Sequence, residues 1–158
     1  MTESRETTAA ESTAERQGSR TRTPAESRIA TLGSRPFVLI DGNSLLYRAF
    51  FALPPLTNPQ GEVTNAAYGF TMMLFKVLDE QQPEMMAVSF ALPGPTFRHE
   101  LFDEYKATRR AMPDELAPQM GMAREILTAM HIPIYEMGGY EADDVIGTLA
   151  TQADQHDI

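Results

Sequence analysis

Cysteine is missing from all 158 residues. That removes disulfides and thiolate metal sites, and leaves oxygen or nitrogen ligands for any metal the chain holds. Long apolar runs are missing too: none approaches the ~20 residues that a membrane span needs, and the N-terminus lacks the apolar stretch of a secretory signal. These absences predict a soluble, cytoplasmic protein with no membrane partner. Basic residues are scarce over most of the chain. Residues 37–158 carry seven Lys or Arg against seventeen Asp or Glu, a net of −10, while residues 1–36 carry six Arg and five Glu, a net of +1. The overall charge of −9 runs against the basic footprint usual for nucleic-acid binders. Yet four of the seven basic residues, Arg98, Lys106, Arg109 and Arg110, fall within thirteen positions. A small basic patch on an acidic body and a surplus of carboxylates gathered for cations are both compatible with this distribution.

Residues 1–35 are rich in Thr, Ser, Ala, Glu and Arg and hold hardly any large apolar residues. Such a segment cannot offset its ordering entropy by burial, so it is expected to be a disordered tail. The 42% apolar content suits one domain over the remainder, residues 36–158. Phe37 to Ile40 reads as a buried strand that ends in the turn Asp41-Gly42-Asn43, with Ser44 placed to cap a short helix. Apolar residues recur at helical spacing from about Thr64 to Glu80 and again over 114–130. Met85 to Phe90 and Ile132 to Tyr135 read as further strands, and Glu141 to Gln155 as a last helix. Strand and helix thus alternate, which predicts an α/β fold with a parallel sheet and flanking helices. A fourth strand is expected where the chain stops, so the fold is expected to be incomplete on its C-terminal side.

Ligands of parallel sheets bind beyond the carboxyl ends of the strands. Asp41 directly follows the first strand, and Glu141-Ala142-Asp143-Asp144 follows the third. Three carboxylates in four residues repel one another, a cost that a cation offsets. Positions three apart share a helix face, so Glu141 and Asp144 are expected to point together, with Asp143 elsewhere. With Asp41 they make an oxygen-only set suited to Mg2+ or Mn2+. Acids in a first helical turn also complement the macrodipole, and Asp41 before Gly42 is also an ordinary turn residue, so the residues alone leave both readings open. At the end of the middle strand, Ala91 has nothing to offer a cation.

Between Thr96 and Arg110, charge and aromatics alternate. Arg98, Lys106, Arg109 and Arg110 are candidate phosphate contacts, and Tyr105 or Phe97 a candidate stacking surface for an unpaired base. A helical turn would bring Lys106 and Arg109 to one side. A solvated charged helix is the alternative. His99 reads as a surface residue, and Arg48 as a further phosphate contact near the acidic pocket.

The stretches "LIDGNSLLYRAFFALPPLTNPQGEVTNAAYGF", "GPTFRHELFDEYKATRRAMPDEL" and "GGYEADDVIGTLA" together resemble the 5′-nuclease domain found at the N-terminus of bacterial DNA polymerase I, related to the flap endonucleases. The similarity runs from about Phe37 to Ile158. It implies a PIN-like 5′-nuclease fold and hydrolysis of DNA phosphodiesters at 5′ ends and flaps. Asp41, Glu141, Asp143 and Asp144 match residues that hold the catalytic ions, two in the complete domain. One ion would generate the attacking hydroxide and the second would stabilise the leaving oxygen. Tyr105, Lys106 and Arg109 match a helical arch over the active site, and the resemblance implies catalytic roles for Lys106, Arg109 and Arg48. Arg48 and Arg98 match basic residues near the scissile phosphate, and Arg110 extends the DNA-binding set. A covalently linked polymerase region is a further expected partner.

Two departures from that pattern stand out. Ala91 occupies a position where the family carries a metal-binding aspartate, with matching sequence on either side. The family's next strand, with a further pair of aspartates, and its helix-hairpin-helix element lie beyond Ile158. The alternative expectation is therefore a nuclease-like module that binds DNA and cuts it poorly. An RNA-cutting PIN-like nuclease is a third reading, disfavoured by the long "YKATRRAMPDEL" segment.

Overall fold

The structure, a computed structural model, describes residues 36–102, 104–108 and 111–156. The expected N-terminal tail lies outside these residues. Three strands, β1 (Phe37–Asp41), β2 (Met85–Phe90) and β3 (Ile134–Glu136), form a parallel sheet in the order β1-β2-β3. Phe37 lies beside Met85 and Asp41 beside Ser89; on the other side Phe90 lies beside Glu136. Five helices connect and cover them: α1 (Gly42–Ala52), α2 (Asn65–Gln81), α3 (Phe97–Leu101), α4 (Leu116–Ala129) and α5 (Ala142–Gln155). The predicted α/β class and parallel sheet are borne out.

The core explains the arrangement. Val88 and Phe90, two apart on β2, share one sheet face and are fully buried with Leu46 of α1, Phe70 and Leu74 of α2, and Leu116, Ala123 and Leu127 of α4. Helix α5 touches all three strands but adds nothing to that cluster, so it covers the opposite face. No helix among the described residues is long and apolar enough to cross a membrane.

Local chemistry sets the ends. Helix α2 stops at Gln82, which adopts a left-handed conformation (φ 42°) just before Pro83. Helix α1 begins three residues earlier than expected. Asp41, not Ser44, is its N-cap, and Ser44 lies inside the first turn, donating its backbone N–H to the Asp41 carboxylate. This early start requires glycine at position 42, where a Cβ would sit 2.5 Å from the Phe90 ring. The segment after α3 also departs from expectation. Residues 104–108 form turns, and Lys106 has φ 57°, so no helix face carries Lys106 there.

Candidate functional site

All three strands deliver their carboxyl ends to one edge of the sheet, and a cavity of about 480 Å³ opens there. Asp41, the last residue of β1, enters it. Its Oδ1 accepts the Ser44 N–H at 3.0 Å and its other oxygen accepts the Ser44 hydroxyl. Asn43 fixes the neighbouring wall, its Oδ1 accepting the Ala91 N–H at 2.8 Å. That bond ties the β1–α1 junction to the end of β2, where Ala91 lines the cavity without a carboxylate to offer. Beyond β3, Gly139 (φ 79°) turns the chain into Glu141, the N-cap of α5.

The acidic cluster is arranged differently from the spacing argument. Glu141 is extended (φ −92°, ψ 163°) and precedes the helix, so the rule that residues three apart share a face does not apply to it. Glu141 and Asp143 line the cavity with Asp41; Asp144 does not. The Asp144 carboxylate is instead gripped from both sides by Arg98, whose Nη1 and Nη2 donate to its two oxygens at 2.6 Å each. Its Oδ2 also accepts the Glu141 N–H at 2.9 Å.

Two cations from the α3 region thus meet two of the clustered acids. Lys106 Nζ lies 2.8 Å from Glu141 Oε1. Burial pushes the Glu141 carboxyl up, yet hydrogen bonds from Lys106 and Tyr105 hold it below the usual carboxylate range. The Arg98 fork, against an opposing effect of burial, lowers Asp144 to about 2, and Asp144 in turn raises the guanidinium further above its already high value. Among the described residues, no three His, Asp or Glu side chains are gathered as a ready ligand set for an ion.

Of the residues singled out in the sequence, Asp41, Glu141, Asp143, Lys106 and Ala91 meet at the cavity. Tyr105 stands beside them, with the Lys106 ammonium 5.2 Å from its ring centre and the His99 ring packed edge-on at 5.3 Å. Arg48 is exposed on α1 and does not line the cavity. Arg98 faces Asp144, and Arg109 and Arg110 lie outside the described residues. Sequence reasoning missed Asn43, Ser44 and His99 as wall residues. The signal for the first two was the Asp-Gly-Asn-Ser run after a strand. His99 gave none, since its Nδ1 accepts the Thr96 N–H at 3.0 Å in a local cap that only the fold turns toward the cavity.

Comparison with known proteins gives a consistent picture. The family described as the 5′-3′ exonuclease, N-terminal resolvase-like domain, matches residues 36–158. DNA polymerase I of Bacillus caldotenax is 56% identical over 121 residues, covering 77% of this chain and 14% of that protein. The 5′-3′ exonuclease of Aquifex aeolicus is 44% identical over 117 residues, covering 74% of this chain and 40% of that one. The chain therefore spans well under half the length of either relative. In fold it is similar to the bacteriophage T5 flap endonuclease, solved as a pseudo-enzyme–product complex with DNA and metal ions. That likeness has a TM-score of 0.55 at 16% identity, over 75% of this chain and 44% of that one. The T5 5′-exonuclease with bound zinc gives a TM-score of 0.50, also at 16% identity, over 76% and 45%.

Proposed function

The chain belongs to the 5′-3′ exonuclease family, through the N-terminal resolvase-like domain over residues 36–158, and from that premise we propose that it hydrolyses DNA phosphodiesters at 5′ ends and flaps with divalent ions. Mg2+ or Mn2+ would serve, two of them in the complete domain, with a polymerase region linked to it in the same protein. The observation that carries this reading is the cavity beyond the strand ends, lined by Asp41, Glu141, Asp143 and Lys106, with Lys106 drawn to Glu141.

The donors fit a hard divalent cation: they are all oxygen, they line the same cavity, and Glu141 already draws a positive charge to 2.8 Å. Asp41, Glu141 and Asp143 would hold the ions, which when bound supply Lewis-acid polarisation of phosphate oxygens and a more acidic water. The chain's own groups supply the rest. Lys106 offers an ammonium to the charge that builds on the scissile phosphate. Tyr105 offers a ring beside the cavity against which an unpaired base can stack. Arg48, Arg109 and Arg110 extend the proposed contacts to the DNA backbone, which position the substrate without reading its sequence.

Ala91 favours a second reading, a module that holds DNA and cuts it poorly, because this residue lines the cavity with no side-chain ligand to give. Cleavage of 5′-flap DNA by the full chain, with Mg2+ or EDTA and beside an Ala91→Asp variant, tests both. The expected result is Mg2+-dependent cleavage that Ala91→Asp raises by about 10–100-fold, the usual weight of a group that tunes a metal site. Equal rates for the two variants would remove the second reading. No cleavage by either at any Mg2+ concentration would sink the nuclease reading, and faster cutting of single-stranded RNA than of flap DNA would redirect it.

A further inference from the structure

The pair Arg98–Asp144 combines two residues that the sequence pointed outward, one toward DNA and one toward metal. In the fold each is committed to the other. The contact is two-pronged at 2.6 Å on both arms, and the side chains are 30% and 21% exposed. Its reach goes beyond the pair. Asp144 Oδ2, besides the guanidinium, accepts the backbone N–H of Glu141 at 2.9 Å, and the Asp144 N–H donates to the Glu141 carbonyl at 3.1 Å. Glu141 is thereby held in its extended cap conformation, from which its carboxylate enters the cavity. A second set of contacts runs parallel to the first. The Phe97 N–H donates to the Gly139 carbonyl at 3.0 Å, and the Phe97 ring lies 5.6 Å from that of Tyr140. The start of α3 is therefore fastened to the start of α5 by a backbone bond, an aromatic contact and a guanidinium fork.

From this we infer that Arg98 is a positioning residue acting through Asp144, which together fix the direction of the Glu141 carboxylate and seat the Lys106 turn against it. The inference rests on the proposed nuclease reading for its catalytic consequence, but not for the pairing itself. Geometry supports the division of labour. A carboxylate with both oxygens in a guanidinium fork and one also on a backbone N–H has its strongest acceptor directions filled. A guanidinium in that fork is equally withdrawn from phosphate. Groups that orient metal ligands commonly cost about 10–100-fold in affinity or activity when removed, although they touch neither metal nor substrate.

A double-mutant cycle in the full chain tests this, with Arg98→Gln, Asp144→Asn and the double variant, and Arg98→Lys as a milder change that keeps the charge but not the fork. Four quantities are read: Tm without metal, the Mn2+ dissociation constant by electron paramagnetic resonance, and kcat and KM on 5′-flap DNA. Either single change is expected to weaken Mn2+ binding and lower kcat by about tenfold with little change in KM, and the double to be no worse than the poorer single. Arg98→Lys should fall between. A rise in KM for Arg98→Gln with Asp144→Asn near wild type would make Arg98 a phosphate contact and overturn the inference. So would weakened Mn2+ binding in Asp144→Asn alone, which would make Asp144 a ligand. The Tm cycle needs neither metal nor DNA, so additive Tm losses would overturn the pairing even in a chain that does not cut. Absence of Mn2+ binding and cleavage in the wild type would instead overturn the nuclease reading, with the Tm cycle still deciding the pair.

Discussion

Replacing Gln119 by leucine should cost the protein more than any conservative surface change, for reasons visible in one buried amide. Gln119 of α4 is completely buried. Its Oε1 accepts the backbone N–H groups of Ala66 and Ala67 at 2.7 and 3.0 Å, and its Nε2 donates to Asn65 Oδ1 at 3.2 Å and to the Glu115 carbonyl at 2.9 Å. The two N–H groups belong to the first turn of α2, where no intrahelical partner exists. Thr64 makes no side-chain cap there, so Gln119 serves as the cap from more than fifty residues away. Leucine has nearly the same volume but no acceptor. Two buried donors would lose their partner at about 1–3 kcal/mol each, and added apolar burial would return about 1–2 kcal/mol, leaving a net loss centred on about 2.5 kcal/mol. Against a typical total of about 5–15 kcal/mol, that is a large share. Urea unfolding of the full chain at neutral pH, followed by far-ultraviolet circular dichroism, should show a lower midpoint at unchanged slope. A loss under about 1 kcal/mol would refute the reasoning, because the donors would then have found water or another acceptor.

Gly42→Ala forces a methyl to within 2.5–2.9 Å of three carbons of the buried Phe90 ring, and overpacking of this kind costs about 1–3 kcal/mol; an unchanged urea midpoint would contradict it. Asp144 is lowered to about 2 in the folded chain against an ordinary value of about 4, so its contribution is complete above pH ~4 and disappears as pH falls toward 2. Asp144→Asn should therefore be less stable than wild type at pH 6, with the gap closing between pH 4 and 2; a constant gap would refute this. Lys106→Met should move two observables in opposite directions. Removing the cation that lies 2.8 Å from Glu141 should tighten Mn2+ binding several-fold by calorimetry without DNA, while kcat on flap DNA falls by about 10²-fold or more. Unchanged or weaker Mn2+ binding would show that the lysine does not hold that carboxylate in solution.

The sheet and most helices were legible because their signals are local. Met85–Phe90 is a mostly apolar run, broken only by Ser89 and set between Pro83 and Pro93, and the strand has the bounds that the run suggested. The α2 stripe of Phe70 and Leu74 likewise keeps its face. What could not be read depends on where remote groups land. Asp41 was recognised as a strand-end acid, but its role as the cap of α1 needed Gly42 to lie against Phe90, a contact between residues nearly fifty apart. The misdirection of Asp144 has the same root. Helical spacing assigned it the face of Glu141, but Glu141 lies outside the helix, and Arg98 arrives from 46 residues upstream to take the carboxylate.

The same contacts bear on how so acidic a body would accommodate the polyanionic substrate proposed for it. Three carboxylates within four residues repel one another, and here Lys106 and Arg98 set positive charge beside Glu141 and Asp144. The two cations differ in how firmly they are committed. Arg98 is held by a fork on both oxygens, whereas Lys106 offers a single ammonium on a flexible stem, in a turn whose backbone is left-handed at that residue. To reach a phosphate, Lys106 must leave Glu141, and the carboxylate it leaves then needs another cation. Under the proposed reading, divalent ions and phosphate engagement would be linked through one side chain: an ion that neutralises Glu141 would release Lys106, and a phosphate that draws Lys106 away would expose Glu141. Ala91, which lines the same cavity without a carboxylate, would weaken one side of that exchange. Cutting would then turn on whether the remaining cavity acids attract cations strongly enough to displace the lysine.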